Sequence, residues 1–364
     1  MEGAEINMKK VMVGMSGGVD SSVAAKLLCD EGYEVTGVTL KLFDKEALCG
    51  GIAVKCSSLT DIDDAKSVAD KLGFEHLIFN FEDEFREKVM NKFTKTYLEG
   101  ETPNPCIECN KHIKFEKMLE KAEELGYDYI ATGHYAVREF DEITGKFILK
   151  RPADRSKDQT YVLYGLTQYQ LSKTLFPLGS YEKSQIRKIA EKAELINSDK
   201  PDSQDICFVP DGDYAAFIEK KTGVKSVSGD FIDLSGKILG KHRGVIHYTI
   251  GQRKGLGISL GAPAYVTNKD SKTNTVTLGS EEDLYKTEIR VSNINLISYD
   301  RIDDGMKVTV KTRYSQNEQE AMLYNDGEEL IVRFSAPQRA PAPGQAAVFY
   351  DGDIVIGGGT IRQA

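Results

Sequence analysis

No apolar run in this chain approaches membrane-spanning length, and its first residues, Met1 to Lys10, are polar and hold no secretory core. These absences argue against a membrane partner and lead to the expectation of a cytoplasmic protein. Met8, followed by Lys9 and Lys10, is a candidate natural start, with the first seven residues an extension. Cysteine is scarce. Six in 364 residues do not make a disulfide scaffold, so each is a candidate for reactivity or metal binding, or is simply buried. Low-complexity tracts and internal repeats are missing too, and 40% hydrophobic with 28% charged residues is the composition of a soluble globular protein. An excess of positive charge is also lacking, since the net charge is −9. Basic residues can nonetheless segregate onto one face. From Leu234 to Lys269 there is no Asp or Glu, while Lys237, Lys241, Arg243, Arg253, Lys254 and Lys269 are all basic.

The length predicts two or three compact units. The first half alternates strand and helix patterns. Val11–Met15 reads as a strand, Val19–Asp30 as a helix and Glu34–Phe43 as a second strand. Thr60 and Asp63 resemble a capping box for a helix over Asp61–Leu72. A strand His76–Phe81, a helix Glu82–Leu98, a Pro-rich loop, a helix Ile113–Leu125 and a strand Asp128–Ala136 follow. Strands separated by helices predict an α/β fold with a parallel sheet, its ligand beyond the carboxyl ends of the strands. After Asp205 the pattern changes. One helix, Tyr214–Lys221, precedes short Gly-punctuated strands, and from Glu288 the alternation reads as a small antiparallel barrel. The expected domains are 1–205, 206–285 and 286–364.

Gly14-Met15-Ser16-Gly17-Gly18-Val19-Asp20-Ser21 lies between the first strand and the first helix. Small residues let backbone N–H groups close on an anion, and the helix N-terminus adds its positive dipole end. The Walker pattern needs a Lys after its second Gly, and none is here. Serine hydroxyls remain to bind phosphate, and Asp20 is the natural Mg2+ anchor. This string resembles the PP-loop ATP pyrophosphatases, which split ATP between its α and β phosphates and activate an oxygen atom with AMP. The loop names the first step and leaves the acceptor open.

Cys106 and Cys109 stand in Thr102-Pro103-Asn104-Pro105-Cys106-Ile107-Glu108-Cys109, a Pro-bounded loop expected just before a helix, where the dipole favours a thiolate. Cys207 follows Asp202-Ser203-Gln204-Asp205-Ile206. Zinc would want a fourth ligand, with Cys207 or a His as candidates. Cys29 falls in an apolar helix and reads as core; Cys49 and Cys56 lie in a Gly-containing insertion and read as structural or incidental.

The loop string, TPNPCIECNKHIKF, ATGHYA, KDQTYVLY, LFPLG, DSQDICF, HYTIGQRKGLGI, RY and APGQ run in order over nearly the whole chain. Together they resemble the MnmA family of tRNA-specific 2-thiouridylases. That resemblance implies a nucleotide-binding α/β domain, a small central domain and a C-terminal β-barrel. It implies ATP binding by Gly14 through Ser21, with Leu40 and Gly133 near the adenosine. It makes Cys109 and Cys207 the catalytic pair, with the persulfide on Cys207. Asn104-Pro105 matches the loop that meets the target base. His134, Lys157, Asp158, Gln159, Arg313, Tyr314 and Gln345 match tRNA-contacting positions. Many members have Asp where this chain has Cys106.

The implied partners are the anticodon loop of tRNA and a cysteine desulfurase or sulfur carrier. The implied reaction adenylates uridine O2, after which the Cys207 persulfide attacks C2 and Cys109 releases the sulfur, leaving a Cys109–Cys207 disulfide. Three other readings stand beside it. Cys106, Cys109 and Cys207 are also a candidate ligand set for a 4Fe–4S cluster. A different PP-loop ligase would need a glutaminase or amino-acid site that the sequence does not display. A non-catalytic RNA-binding or redox-sensing protein would leave the phosphate loop idle.

Overall fold

The computed structural model describes residues 8–44, 58–201 and 206–363. The chain divides into two compact units. One is made of the residues up to Lys88, Ile107–Gln204 and Asp353–Val355; the other is made of Val89–Cys106, Asp205–Gly352 and Ile356–Ala364.

The strands of the first unit are β1 (Lys10–Gly14), β2 (Glu34–Lys41), β3 (His76–Asn80), β4 (Tyr129–Thr132), the hairpin β5 (Val137–Asp141) and β6 (Lys146–Lys150), and β7 (Thr174–Leu175). Five of them form one parallel sheet in the order β3-β2-β1-β4-β7. Val11, Met12 and Val13 of β1 are fully buried. A central parallel strand is covered on both faces, which is why its sequence is an unbroken apolar run. Helices α1 (Val19–Asp30) and α2 (Ser58–Leu72) supply Val23, Ala24, Leu28, Ala65 and Val68 to the same core as Val11 and Val13. Cys29 packs at the edge of that core, where burial raises its thiol pKa. From β1 the chain builds outward through β2 and β3, then returns to pair β4 on the other side of β1. The carboxyl ends of β1 and β4 therefore flank a topological switch point.

Several boundaries differ from expectation. Helix α2 is described from Ser58, so Thr60 lies inside it and is not its cap. Helix α3 (82–98) spans the expected residues but takes the wider π form over Arg86–Asn91. The next helix, α4 (105–124), begins at Pro105, eight residues before the expected Ile113. Proline fits the first turn because it lacks only an N–H that has no helical partner there, and its φ is already helical. The strand expected over Asp128–Ala136 ends at Thr132, because the chain must turn at Gly133 against α1. Helix α5 (Lys183–Lys192) adds Ile186 and Ala190 to the core. Cys49 and Cys56 lie outside the described residues.

In the second unit, helix α6 (Tyr214–Thr222) precedes β8 (Gly229–Ile232), β9 (Ile238–His242), β10 (Tyr265–Asp270) and β11 (Thr275–Gly279), which pair in the order β10-β11-β8-β9. Then come β12 (Tyr285–Leu296), β13 (Met306–Lys311), β14 (Gln319–Asp326), β15 (Glu329–Arg339), β16 (Ala346–Asp351) and β17 (Ile354–Ile361). They run β12-β15-β14-β13-β16-β17, and β12 pairs with β17 to close an antiparallel barrel. Alternate residues point inward, so Val308, Val310, Leu323, Val332, Phe349 and Ile356 fill its interior. The α/β fold with a parallel sheet, a central domain and a C-terminal barrel is the architecture expected from the sequence. No helix among the described residues is long and apolar enough to cross a membrane.

Candidate active site

The phosphate loop occupies the switch point. Gly17 has φ +75°, and a Cβ there would lie 2.3 Å from the Asp61 carbonyl oxygen, so the loop is sealed against α2. The Ser21 hydroxyl accepts from the Ser16 amide at 3.2 Å and donates to the Gly18 carbonyl at 3.1 Å. The Ser22 hydroxyl donates to the same carbonyl at 3.1 Å. Across the switch point, a Cβ on Gly133 would stand 2.7 Å from the Ser21 amide nitrogen. Only glycine lets the chain leaving β4 approach the start of α1 so closely. Met15 and Val19 are buried beneath the loop, and Leu40 lies at the carboxyl end of β2.

Asp20 points to a basic partner. Lys183 Nζ, at the start of α5, donates to both carboxylate oxygens at 2.7 and 2.8 Å, and Tyr135 Oη donates to Oδ1 at 2.8 Å. Lys200 Nζ donates to the Gly17 carbonyl at 3.2 Å, to Asp61 at 2.6 Å and to Asp64 at 2.8 Å. Asn197 Nδ2 donates to the Gly17 carbonyl at 3.0 Å and to the Ser22 hydroxyl at 2.9 Å. No local pattern in the sequence points to Tyr135, Lys183, Asn197 or Lys200. Each is more than a hundred residues from the loop, and no spacing rule connects them to it. Tyr135 at least stood inside the quoted ATGHYA string.

The cysteines take different settings. Asn104 Oδ1 accepts from the Cys106 amide at 3.1 Å, which caps the first turn of α4. Cys106 is exposed, whereas Cys109, one turn further on, is 9% exposed. Both lie in the helix rather than before it. Beside Cys109, His112 pairs with Glu108 and Glu116, which raise its pKa. Cys207 is exposed, but Phe208 directly after it is 3% exposed and packs edge-on against Phe93, with Phe217 tilted against it. Tyr214 stacks on Tyr97 at the end of α3. One aromatic cluster of the second unit thus anchors the Cys207 segment and the end of α3, which leads into the loop before α4.

Among the described residues, no three His, Cys, Asp or Glu side chains are grouped to hold a metal ion. The phosphate loop does fit a nucleotide, and Asp20 is a carboxylate of the kind that holds Mg2+.

Family models place this arrangement. One described as a tRNA methyl transferase HUP domain matches residues 9–211, a tRNA methyl transferase PRC-barrel domain matches 215–280, and an aminomethyltransferase beta-barrel domain matches 286–361. The chain is 51% identical over 360 residues to a tRNA-specific 2-thiouridylase MnmA of Acetivibrio thermocellus, covering 98% of this chain and 100% of that protein. It is 50% identical over 357 residues to the MnmA of Clostridioides difficile, covering 98% and 99%. The chain belongs to the MnmA family of tRNA-specific 2-thiouridylases.

The positions expected from the sequence to contact tRNA fall into two groups. His134 is 7% exposed, lies near Phe115 and Phe176, and shares a hydrogen bond with the Thr132 hydroxyl through Nδ1 at 2.8 Å. Burial holds its pKa well below the usual value, so it is neutral. Asp158 is also buried and accepts from the Thr160 amide and hydroxyl; Gln159 Oε1 accepts from the Tyr135 amide at 2.8 Å; Lys157 ends a short 3-10 turn. In the second unit, Arg313 donates to the carbonyls of Ile250 at 3.2 Å and Ala340 at 2.7 Å, and Tyr314 is exposed. Gln345 Nε2 donates to the Thr102 carbonyl at 2.9 Å, in the loop that precedes α4. Of the basic stretch, Lys237, Lys241, Arg243, Arg253 and Lys254 are exposed. Lys269 is not: at 2% exposure it lies under Tyr97, and burial lowers its pKa to about 8.

Proposed function

We propose that this chain is an ATP-dependent tRNA-uridine 2-sulfurtransferase that converts the wobble uridine of lysine-, glutamate- and glutamine-type tRNAs to 2-thiouridine. The observation that carries this reading is the Ser-rich, Lys-free phosphate loop at the switch point of a parallel sheet, in a member of the MnmA family. Uridine O2 is a poor leaving group. Attack by O2 on the α-phosphorus of ATP expels pyrophosphate and places AMP on that oxygen. The loop amides and the start of α1 stabilise the transferring phosphates, and Leu40 and Gly133 border the adenosine. Asp20 would hold Mg2+, whose charge eases the departure of pyrophosphate; Lys183 and Tyr135 orient that carboxylate.

A persulfide on Cys207 then attacks C2 and AMP leaves. The Cys109 thiolate attacks the Cys207 sulfur, which breaks the sulfur–sulfur bond, leaves sulfur on C2 and joins Cys109 to Cys207 until a thiol reductant reopens them. The exposure of Cys207 suits loading by a cysteine desulfurase or carrier in the cytoplasm. A base must leave its stack to reach such a site, which fits an anticodon loop as substrate.

The test is tRNA-dependent pyrophosphate release. Asp20→Ala is expected to abolish it while tRNA affinity is kept, and normal release by that variant would refute the assignment.

A further inference from the structure

The phosphate loop is built from backbone amides, and the direction of each amide is set by the peptide it belongs to. The Gly17 carbonyl oxygen receives two side-chain donors, Asn197 Nδ2 at 3.0 Å and Lys200 Nζ at 3.2 Å. The described chain has no cis peptide bond. In a trans peptide the N–H points opposite to the C=O, so pinning the Gly17 carbonyl also aims the Gly18 N–H away from Asn197 and Lys200.

The environment of both side chains shows what they are for. Lys200 carries three N–H donors, and its three bonds go to Gly17, Asp61 and Asp64. Its ammonium has nothing left for a phosphate, and two carboxylates already balance its charge. Asn197 is 3% exposed, and its Oδ1 is buried with no hydrogen-bond partner among the described residues. A buried acceptor left unsatisfied is costly, yet the amide cannot turn over, since that would set Oδ1 against the Gly17 carbonyl. The site accepts an orphaned oxygen to keep the donor on Gly17.

We propose that Asn197 and Lys200 are positioning residues of the adenylation site, which hold the Gly17–Gly18 peptide with its N–H toward the phosphates of ATP. This inference rests on reading the loop as the ATP site. Glycine at 17 makes it necessary: the residue that permits φ +75° leaves the peptide easy to flip, and two side chains from a distant segment remove that freedom.

The experiment measures ATP binding by calorimetry on the full chain with Mg2+, and tRNA binding beside it. Asn197→Asp keeps the shape and replaces the donor with an oxygen facing the Gly17 carbonyl. It is expected to weaken ATP binding by about tenfold or more while tRNA affinity stays within about twofold. Lys200→Met is expected to weaken ATP binding in the same direction, and Lys200→Arg, which still donates, to recover most of it. Asn197→Asp with undiminished ATP affinity overturns the proposal, as does equal loss of ATP and tRNA binding, which marks a general structural role. If Asn197→Asp does not fold, the Lys200 pair decides: wild-type ATP affinity in Lys200→Met overturns the proposal. Failure of the wild-type chain to bind ATP would instead overturn the reading of the loop.

Discussion

Cys106 and Cys109 are three residues apart in one helix, yet the fold treats them differently. Cys106 sits in the first turn with its amide held by Asn104, and its side chain is exposed. Cys109 is a turn deeper and almost fully covered. In the persulfide relay only Cys109 and Cys207 exchange sulfur, and the relay asks nothing of the Cys106 thiol. Cys106→Ser should therefore retain most 2-thiouridine formation, whereas Cys109→Ser should lose it. Mass spectrometry of nucleosides from tRNA incubated with each variant, ATP and a persulfide donor checks this. An inactive Cys106→Ser would mean that all three thiols are required. Gly133 shows the same economy of side chains: its hydrogen is all that fits between β4 and the amide of Ser21.

Helix α4 carries its own electrostatic support. His112 lies one turn from both Glu108 and Glu116, at the i, i+4 spacing that brings side chains together on one face. Their pairing raises the His112 pKa above its unfolded value near 6.5. A raised pKa means that the folded state binds the proton more tightly. The pair's contribution is thus fully present below about pH 6.5 and is lost as pH rises through the folded pKa. Thermal unfolding of the wild type and of His112→Gln should differ most near pH 5.5, by about 1 kcal/mol or less, and converge by pH 8 or above. A constant difference across that range would show that His112 acts by packing alone. The helix takes the π form over Cys109–Lys117, the stretch that holds His112 and Glu116.

At the scale of the whole chain, the net charge of −9 hides a local surplus. Arg243, Arg253 and Lys254 are exposed in a segment with no acidic residue. If they meet tRNA phosphates, each contact releases counterions, and affinity falls steeply with salt. Replacing all three by Gln should lower the slope of log affinity against log salt by about 2, with unfolding temperature unchanged. An unchanged slope would make them ordinary solvated charges. Lys269 does not belong to that count, because the fold buries it.

How much of this was legible in the sequence follows the range of the forces involved. Local patterns sufficed for β1, α1, β2 and the barrel strands, since period and apolar content act over a few residues. The phosphate loop was legible because its glycines, serines and aspartate are consecutive. The start of α4 was misread, since Pro105 and Asn104 look alike in a loop and in a helix cap until the cap hydrogen bond forms. The family was evident because its motifs are spread in order along the chain. Only tertiary structure could bring Lys183 to Asp20, Asn197 and Lys200 to Gly17, and Gln345 to Thr102, or bury Lys269 while its basic neighbours stay in water. Those contacts join residues more than a hundred apart, and burial, which decides whether a lysine is a surface charge or a desolvated amine, belongs to the folded chain and to no segment of it.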